Sequence, residues 1–364
     1  MGIFKSLEIS LRRFLIRALS LFVRRNNSLP PTIDFNTCKF LFVRQDRIGD
    51  VLISTPLYRS LKNHYPNATV DFFLSSNNHF VLDNDPLIRK RWIYRKSFSH
   101  ALSLLRAIRK EQYDFVIDLM DNPSTTSTVF CALANGKWNI GLSKENHYVY
   151  DITIPLLSRR DVHIIDRIAQ LLTVFKIDPS GERFDLSYKT SQQSDSFAEE
   201  FLQSHKIIGR SLIAVNISPT DGVRYWGREN YQRLFLMLQR EFQYHPILLL
   251  CQPSDRKEAE EIIAQCPGIT LSPITPTFDQ FAALVKHSAI LITPDTSVVH
   301  LAAAYKIPSV VLYVQSNKEL RIWEPYGVDC EALVTEIDDL RTIPVEKVEQ
   351  AFRSLYKRTL YHGQ

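Results

Sequence analysis

The chain has 364 residues, 45% hydrophobic and 23% charged, which excludes a disordered protein and is too long for one ordinary core. Its formal charge of +5 is unevenly placed: residues 1–30 hold Lys5, Arg12, Arg13, Arg17, Arg24 and Arg25 against Glu8 alone, so the remainder is neutral. A neutral body argues against a general nucleic-acid surface, and five cysteines without a CxxC pair read as reduced core thiols of a cytosolic protein.

The first predicted element is "MGIFKSLEISLRRFLIRALSLFVRRNNS". Ser6, Ser10, Arg13, Arg17, Ser20 and Arg24 recur at steps of three and four, with Leu7, Leu11, Phe14, Ala18 and Leu21 on the other side. Arginines interrupt the pattern too often for a transmembrane helix or a signal-peptide core. A basic amphipathic helix over residues 3–25 suits an anionic membrane surface, and the same pattern also suits a helix docked on its own domain. The turn-rich "NNSLPPTIDFNT", residues 26–37, follows as a linker.

Next, Lys39–Gln45, Thr69–Leu74 and Phe115–Leu119 read as buried strands, with helical patterns near 51–64 and 99–111 between them. Such alternation predicts βαβ units and a parallel sheet. The polar stretch "SYKTSQQSDS", residues 187–196, lacks apolar periodicity and marks the domain boundary. Beyond it the alternation restarts. Leu212–Ile217, Pro246–Cys251, Ile290–Thr293 and Ser309–Tyr313 read as strands, and 229–243, 255–265, 278–287 and 296–305 as helices. A last helix spans Val345 to Tyr361. The expected organisation is a basic helix and linker over 1–35, one Rossmann-like domain over 36–190, a second over 191–343, and a carboxyl-terminal helix over 344–364. The fold class is α/β with two doubly wound domains. Ligands of such sheets sit beyond the carboxyl ends of the strands, which locates the chemistry in an interdomain cleft.

Three motifs fall at those strand ends. In "VRQDRIGDVLISTPL", residues 43–57, Asp50 lies at the corner between the first strand and a helix, where Gly49 permits a tight turn. Two readings fit Asp50: a carboxylate stabilising the positive end of the helix, or a general base facing a substrate. In "AILITPDTSVVHLAAAYKIPSVVLY", residues 289–313, a helix begins at Thr296 and Ser297, and its amino terminus makes a phosphate cradle. His300 shares that helix face, while Asp295 reads equally as a cap. In "AVNISPTDGVRYWGRENYQRL", residues 214–234, Ser218 and Thr220 end a strand and Arg224 follows, either as a phosphate clamp or as a solvated surface arginine. With 11 glycines in the chain there is no GxGxxG fingerprint and no P-loop, nor any HExxH or clustered metal-ligand spacing. These absences argue against a nicotinamide enzyme of the usual kind and a P-loop kinase.

Together the three segments, with "FVIDLMDNPSTTSTVFCALANGKWNIGL" between them, resemble glycosyltransferase family 9, the ADP-heptose:lipopolysaccharide heptosyltransferases. "PDTSVVHLAAAYKIPSVVLY" is similar to the family's Asp-Thr-Gly-x-x-His-Leu-Ala-Ala signature, and the likeness runs from about residue 38 to 330. The resemblance implies a GT-B fold, with the acceptor on the first domain and the nucleotide sugar on the second. It makes Asp50 the base of an inverting displacement, Arg224 the residue steadying the diphosphate, and Asp295, Thr296, Ser297 and His300 the turn and helix start around the same phosphates. Ser218 and Thr220 add hydroxyls, and Asp255 lies near the position of an acidic ribose contact. No metal or other cofactor is implied. Arg59 and Lys62, one turn apart, are candidates for acidic groups of the acceptor, or simply a solvated helix face.

Two departures bear on the donor sugar: Ser297 stands where the signature has glycine, and the phosphate loop reads Asn216-Ile217-Ser218-Pro219 rather than His-Pro-Gly. The expected activity is heptose transfer from ADP-heptose to a lipid-linked, acidic lipopolysaccharide core, by a peripheral protein on the cytoplasmic face of the inner membrane. The alternatives are a family 9 enzyme with another nucleotide sugar and surface glycan, or a non-catalytic GT-B protein that binds a glycan.

Overall fold

The computed structural model describes residues 29–207, 209, 211–315 and 319–360. The basic helix expected over residues 3–25 lies outside the described residues. The chain divides into two compact units between Phe184 and Asp185.

Among its described residues the first unit holds six strands: β1 (Lys39–Val43), β2 (Thr69–Ser75), β3 (Lys90–Tyr94), β4 (Phe115–Asp118), β5 (Trp138–Leu142) and β6 (Ile152–Ile154). They form one parallel sheet in the order β3-β2-β1-β4-β5-β6. The second unit holds β7 (Leu212–Asn216), β8 (Ile247–Leu250), β9 (Thr270–Leu271), β10 (Ser288–Pro294), β11 (Ser309–Tyr313) and β12 (Cys330–Val334). Its sheet is also parallel, in the order β12-β11-β10-β7-β8-β9. Read from β9, that is the same strand order, so each unit is a doubly wound sheet of the dinucleotide-binding kind.

The central strands explain why the sequence reads as it does. β4, β7, β8 and β11 are buried along their whole length, which requires uninterrupted apolar runs such as "ILLL" and "LIAVN". Phe40 and Phe115 face each other in register across β1 and β4, with rings stacked at 5.1 Å. The strand order reverses between β1 and β4 in one unit and between β7 and β10 in the other. A crevice opens beyond the carboxyl ends of the strands at such a reversal.

The helix after β1 spans Ile48–His64, so Gly49 and Asp50 belong to its first turn and the helix starts before residue 51, where periodicity put it. The cause is Asp50 itself, whose Oδ2 accepts from the Arg47 backbone N–H at 3.2 Å and satisfies a donor that the helix leaves unpaired. Pro56 interrupts the same helix, and the Thr55 hydroxyl donates to the Leu52 carbonyl at 2.7 Å, replacing the hydrogen bond that proline cannot make.

The division between units precedes the expected boundary at 190/191. Ser191 caps the helix Gln192–Ser204, accepting from Ser194 N–H at 3.2 Å. Asp279, on the helix Phe278–Val285, accepts from Ser191 Oγ at 2.7 Å and Tyr188 OH at 2.9 Å, so this polar stretch is tied to the second unit. The final helix, Val345–Thr359, buries Val348, Phe352 and Leu355 in that unit's core and is part of it. Among the described residues, no helix is long and apolar enough to cross a membrane.

Candidate active site

In the first unit the chemistry begins at Arg44, the residue after β1. Its guanidinium is fully buried and donates from Nη2 to Asp50 Oδ1 at 3.0 Å, from Nε to the Asp50 carbonyl at 3.1 Å, and from Nη1 to the Leu119 carbonyl beyond β4. Nε also lies 3.3 Å from Asp46 Oδ1. Burial opposes the Arg44 charge, but the carboxylates of Asp46, Asp50, Asp121 and Asp118 outweigh it and hold its pKa above the ordinary value. For Asp46, burial is the larger effect. Opposed by Arg44 and reinforced by Asp50, it pushes the carboxyl up to about 7.

Asp50 thus caps its helix and pairs with a buried guanidinium at once. Its carboxylate spans the Arg47 backbone N–H and the Arg44 guanidinium, and its side chain keeps 11% exposure, enough for a substrate hydroxyl to meet a remaining lone pair. Arg44 and Asp46 escape sequence reasoning although they stand in the first of the three strand-end motifs. Their partners include Leu119, at the end of a strand that pairs with β1 only in the fold.

Asp118, the last residue of β4, anchors a second buried cluster. It accepts from Lys144 Nζ at 3.0 Å, Tyr150 OH at 2.5 Å and Ser127 Oγ at 3.1 Å. Tyr150 reaches it because Gly141 on β5 leaves room for the ring, which would stand 2.5 Å from a Cβ at that position. Nearby, Asp121 accepts from the buried Arg167 at 3.1 Å.

Arg59 and Lys62 are not brought to this point. Arg59 Nη2 donates to Asp85 at 2.5 Å, and Lys62 Nζ donates to the carbonyls of Pro66 and Ala68, closing the carboxyl end of its helix. They lie roughly 13 and 18 Å along the helix axis from Asp50, at 1.5 Å per residue.

In the second unit three neighbouring strand ends meet. After β7, Ser218 Oγ accepts from the Gln252 N–H at 2.8 Å, joining this loop to the one after β8, where Asp255 accepts from Gln252 Nε2 at 3.0 Å. Asn216 on β7 donates to Thr293 Oγ1 on β10 at 3.0 Å. Thr220 is exposed in the same loop. The chain then makes a turn at Gly222–Arg224 and passes through Trp226, which is wholly buried with Nε1 donating to the Ile343 carbonyl at 2.9 Å. Gly227, at φ +104, permits the turn into the helix Arg228–Glu241, a backbone conformation costly for other residues.

Arg224 is held at the turn by Asp221, which accepts from its backbone N–H at 3.2 Å and pairs with its side chain. Its Nε lies 3.6 Å from Asp295 Oδ2, so the loops after β7 and β10 touch through this pair. Asp221 is a further residue that sequence reasoning missed. The helix after β10 is Ser297–Ala304, and Thr296, not Asp295, is its N-cap, with Oγ1 accepting from Val298 N–H at 3.3 Å. His300 is buried within that helix, its ring 6.4 Å from Trp323. The structure therefore collects Ser218, Arg224, Asp295, Thr296 and Ser297 at one switch point, with Asp255 one strand away. A helix amino terminus beside an arginine is suited to a diphosphate, which has to draw Arg224 from two carboxylates as it binds.

Comparison with known proteins converges on one family. The model described as glycosyltransferase family 9 (heptosyltransferase) matches residues 101–350. "Lipopolysaccharide heptosyltransferase 3" of Escherichia coli (strain K12) is 25% identical over 292 residues, covering 76% of this chain and 82% of its own length. The crystal structure of a family 9 glycosyl transferase from Veillonella parvula aligns with TM-score 0.77 at 19% identity, covering 90% of this chain and 99% of that one. The E. coli heptosyltransferase WaaC with ADP aligns with TM-score 0.70 at 15% identity, over 88% and 99% of the two chains.

Proposed function

This chain belongs to glycosyltransferase family 9, and from that premise we propose that it moves a heptose from ADP-heptose to an acidic lipopolysaccharide inner-core acceptor, with inversion. The observation that carries the proposal is a carboxylate at one switch point and an arginine beside a helix amino terminus at the other, in a chain of this family. The curated relative acts on lipopolysaccharide by name, and one structural neighbour was solved with ADP, which supports the choice of acceptor and donor.

In this reading the acceptor hydroxyl donates its proton to Asp50 as its oxygen bonds to the anomeric carbon of the heptose. The bond from that carbon to the diphosphate oxygen breaks, and ADP leaves with the electron pair. Arg224 and the amino terminus of the helix Ser297–Ala304 take up the charge on the departing diphosphate, with the Thr296 and Ser297 hydroxyls and His300 around it. Ser218 and Thr220 contribute hydroxyls from the neighbouring loop, and Asp255 binds the ribose. Arg44 keeps the Asp50 side chain in place. The reading requires no divalent cation, and it sets the protein at the cytoplasmic face of the inner membrane, where a lipid-linked acceptor is made.

The test is transfer by the full chain from ADP-heptose to isolated inner-core acceptor, followed by release of ADP and by the anomeric configuration of the product. Inverted heptosyl product supports the proposal. Transfer only from a uridine or guanosine diphosphate sugar sinks the donor while keeping the reaction class.

A further inference from the structure

The helix Phe98–Glu111, which follows β3, buries Leu104 and Ile108 on one side. At 100° per residue, Leu102 and Arg106 fall on the opposite side, with Phe98 at its margin. Phe98 is 87% exposed and Leu102 37%. Single exposed apolar residues are ordinary on a protein surface. This pair is set apart by its surroundings, because Arg95, Lys96, Arg106 and Lys110 are all exposed and none has a carboxylate partner among the described residues. The one acid on the helix, Glu111, lies at its far end and is taken by Arg89 and Lys90.

We propose that this helix face is a docking surface for an anionic lipid bilayer, with Phe98 and Leu102 inserted at the headgroup boundary and Arg95, Lys96 and Arg106 paired with lipid phosphates. An aromatic and an aliphatic side chain ringed by unpaired cations is the chemistry that an anionic interface binds. A second copy of the chain does not fit, since apposing this face to itself brings cations against cations. The position also has a use. Phe98 follows β3 and Asp50 follows β1, so both lie at the carboxyl end of one parallel sheet, two strands apart, which is roughly 10 Å at the usual spacing. A bilayer held at that rim brings a membrane-anchored acceptor to the carboxylate. The inference is independent of the sugar transferred and of the basic segment over residues 3–25.

The experiment is co-sedimentation of the full chain with vesicles of phosphatidylethanolamine and phosphatidylglycerol, against phosphatidylcholine alone, at low and high salt. Phe98→Ser is expected to weaken binding to the anionic vesicles by about tenfold or more, as loss of one buried aromatic ring does. The double variant Arg95→Glu, Arg106→Glu is expected to remove most of the salt dependence contributed by this face. Both variants should keep the wild-type melting temperature and nucleotide affinity. Wild-type vesicle binding by both variants overturns the proposal, and so does a change confined to self-association as read by light scattering.

Discussion

The Arg44 guanidinium donates to Asp50 Oδ1 at 3.0 Å from a fully buried position, so the candidate base is fixed by a charge that has no solvent of its own. Removing one partner of such a pair leaves the other buried and unpaired. Asp50→Ala is therefore expected to abolish transfer and also to cost on the order of 3 kcal/mol of stability, cushioned by the remaining Asp46 contact. Asp50→Asn separates the two roles better than alanine, because its one amide oxygen can still accept from the Arg47 N–H, although the charge pair with Arg44 is lost. It should fold and bind nucleotide within a few-fold of wild type, yet transfer about a hundredfold or more slowly. A wild-type rate in Asp50→Asn would leave Asp50 as a helix cap alone.

Asp46 supplies a pH dependence with a defined sign. Its carboxyl is pushed from the ordinary 3.8 up to about 7, chiefly by burial, so the folded state holds a proton that the unfolded state has lost. The stability this gives is fully present below the ordinary pKa and disappears as pH rises through about 7. Asp46→Asn should flatten the curve of unfolding free energy against pH in that window. Denaturant midpoints measured across it check this, and an unchanged slope would assign the dependence to another group.

Arg224 is held between Asp221 and Asp295, and in the proposed reading its charge meets the diphosphate. Arg224→Ala should weaken ADP binding by about tenfold, the lower end for a charge-assisted hydrogen bond, without changing stability much at so exposed a turn. Asp221→Asn loosens the same arginine and should weaken binding by less. Calorimetric titration of both variants decides the order.

Gly141→Ala places a Cβ 2.5 Å from the Tyr150 ring, whose hydroxyl is one of the donors to Asp118. Overpacking at this buried strand should cost about 1–3 kcal/mol. Thermal or denaturant unfolding measures it, and a neutral result would show that the ring can move aside without losing Asp118.

What the sequence made legible follows burial. β1, β2, β4, β7, β8, β10 and β11 lie inside their sheets and carry long apolar runs, so they can be read directly. β3, β6, β9 and β12 are the edge strands among the described residues, and "KRWIY" and "CEALV" are mostly half-buried or exposed, without a continuous apolar signal. β5 was hidden by Asn139 and Gly141, whose pairing is set by neighbours far along the chain. Asp50, Arg224 and Thr296 could be named because they adjoin strand ends. Arg44 and Asp46 could not be given roles, since the Leu119 carbonyl that helps hold Arg44 follows a neighbouring strand 75 residues further along the chain. Arg59 and Lys62 had the right charge and helical spacing, but the fold commits them to Asp85 and to the Pro66 and Ala68 carbonyls.

The measurement that bears most directly on the proposed donor is calorimetric titration of the full chain with ADP, UDP, GDP and CMP, with Arg224→Ala alongside. Tight binding selective for ADP, weakened in the variant, is the expected result and joins the second unit to an adenosine diphosphate sugar. Selective binding of UDP or GDP would contradict the heptose donor, and binding of none would favour a non-catalytic glycan-binding protein.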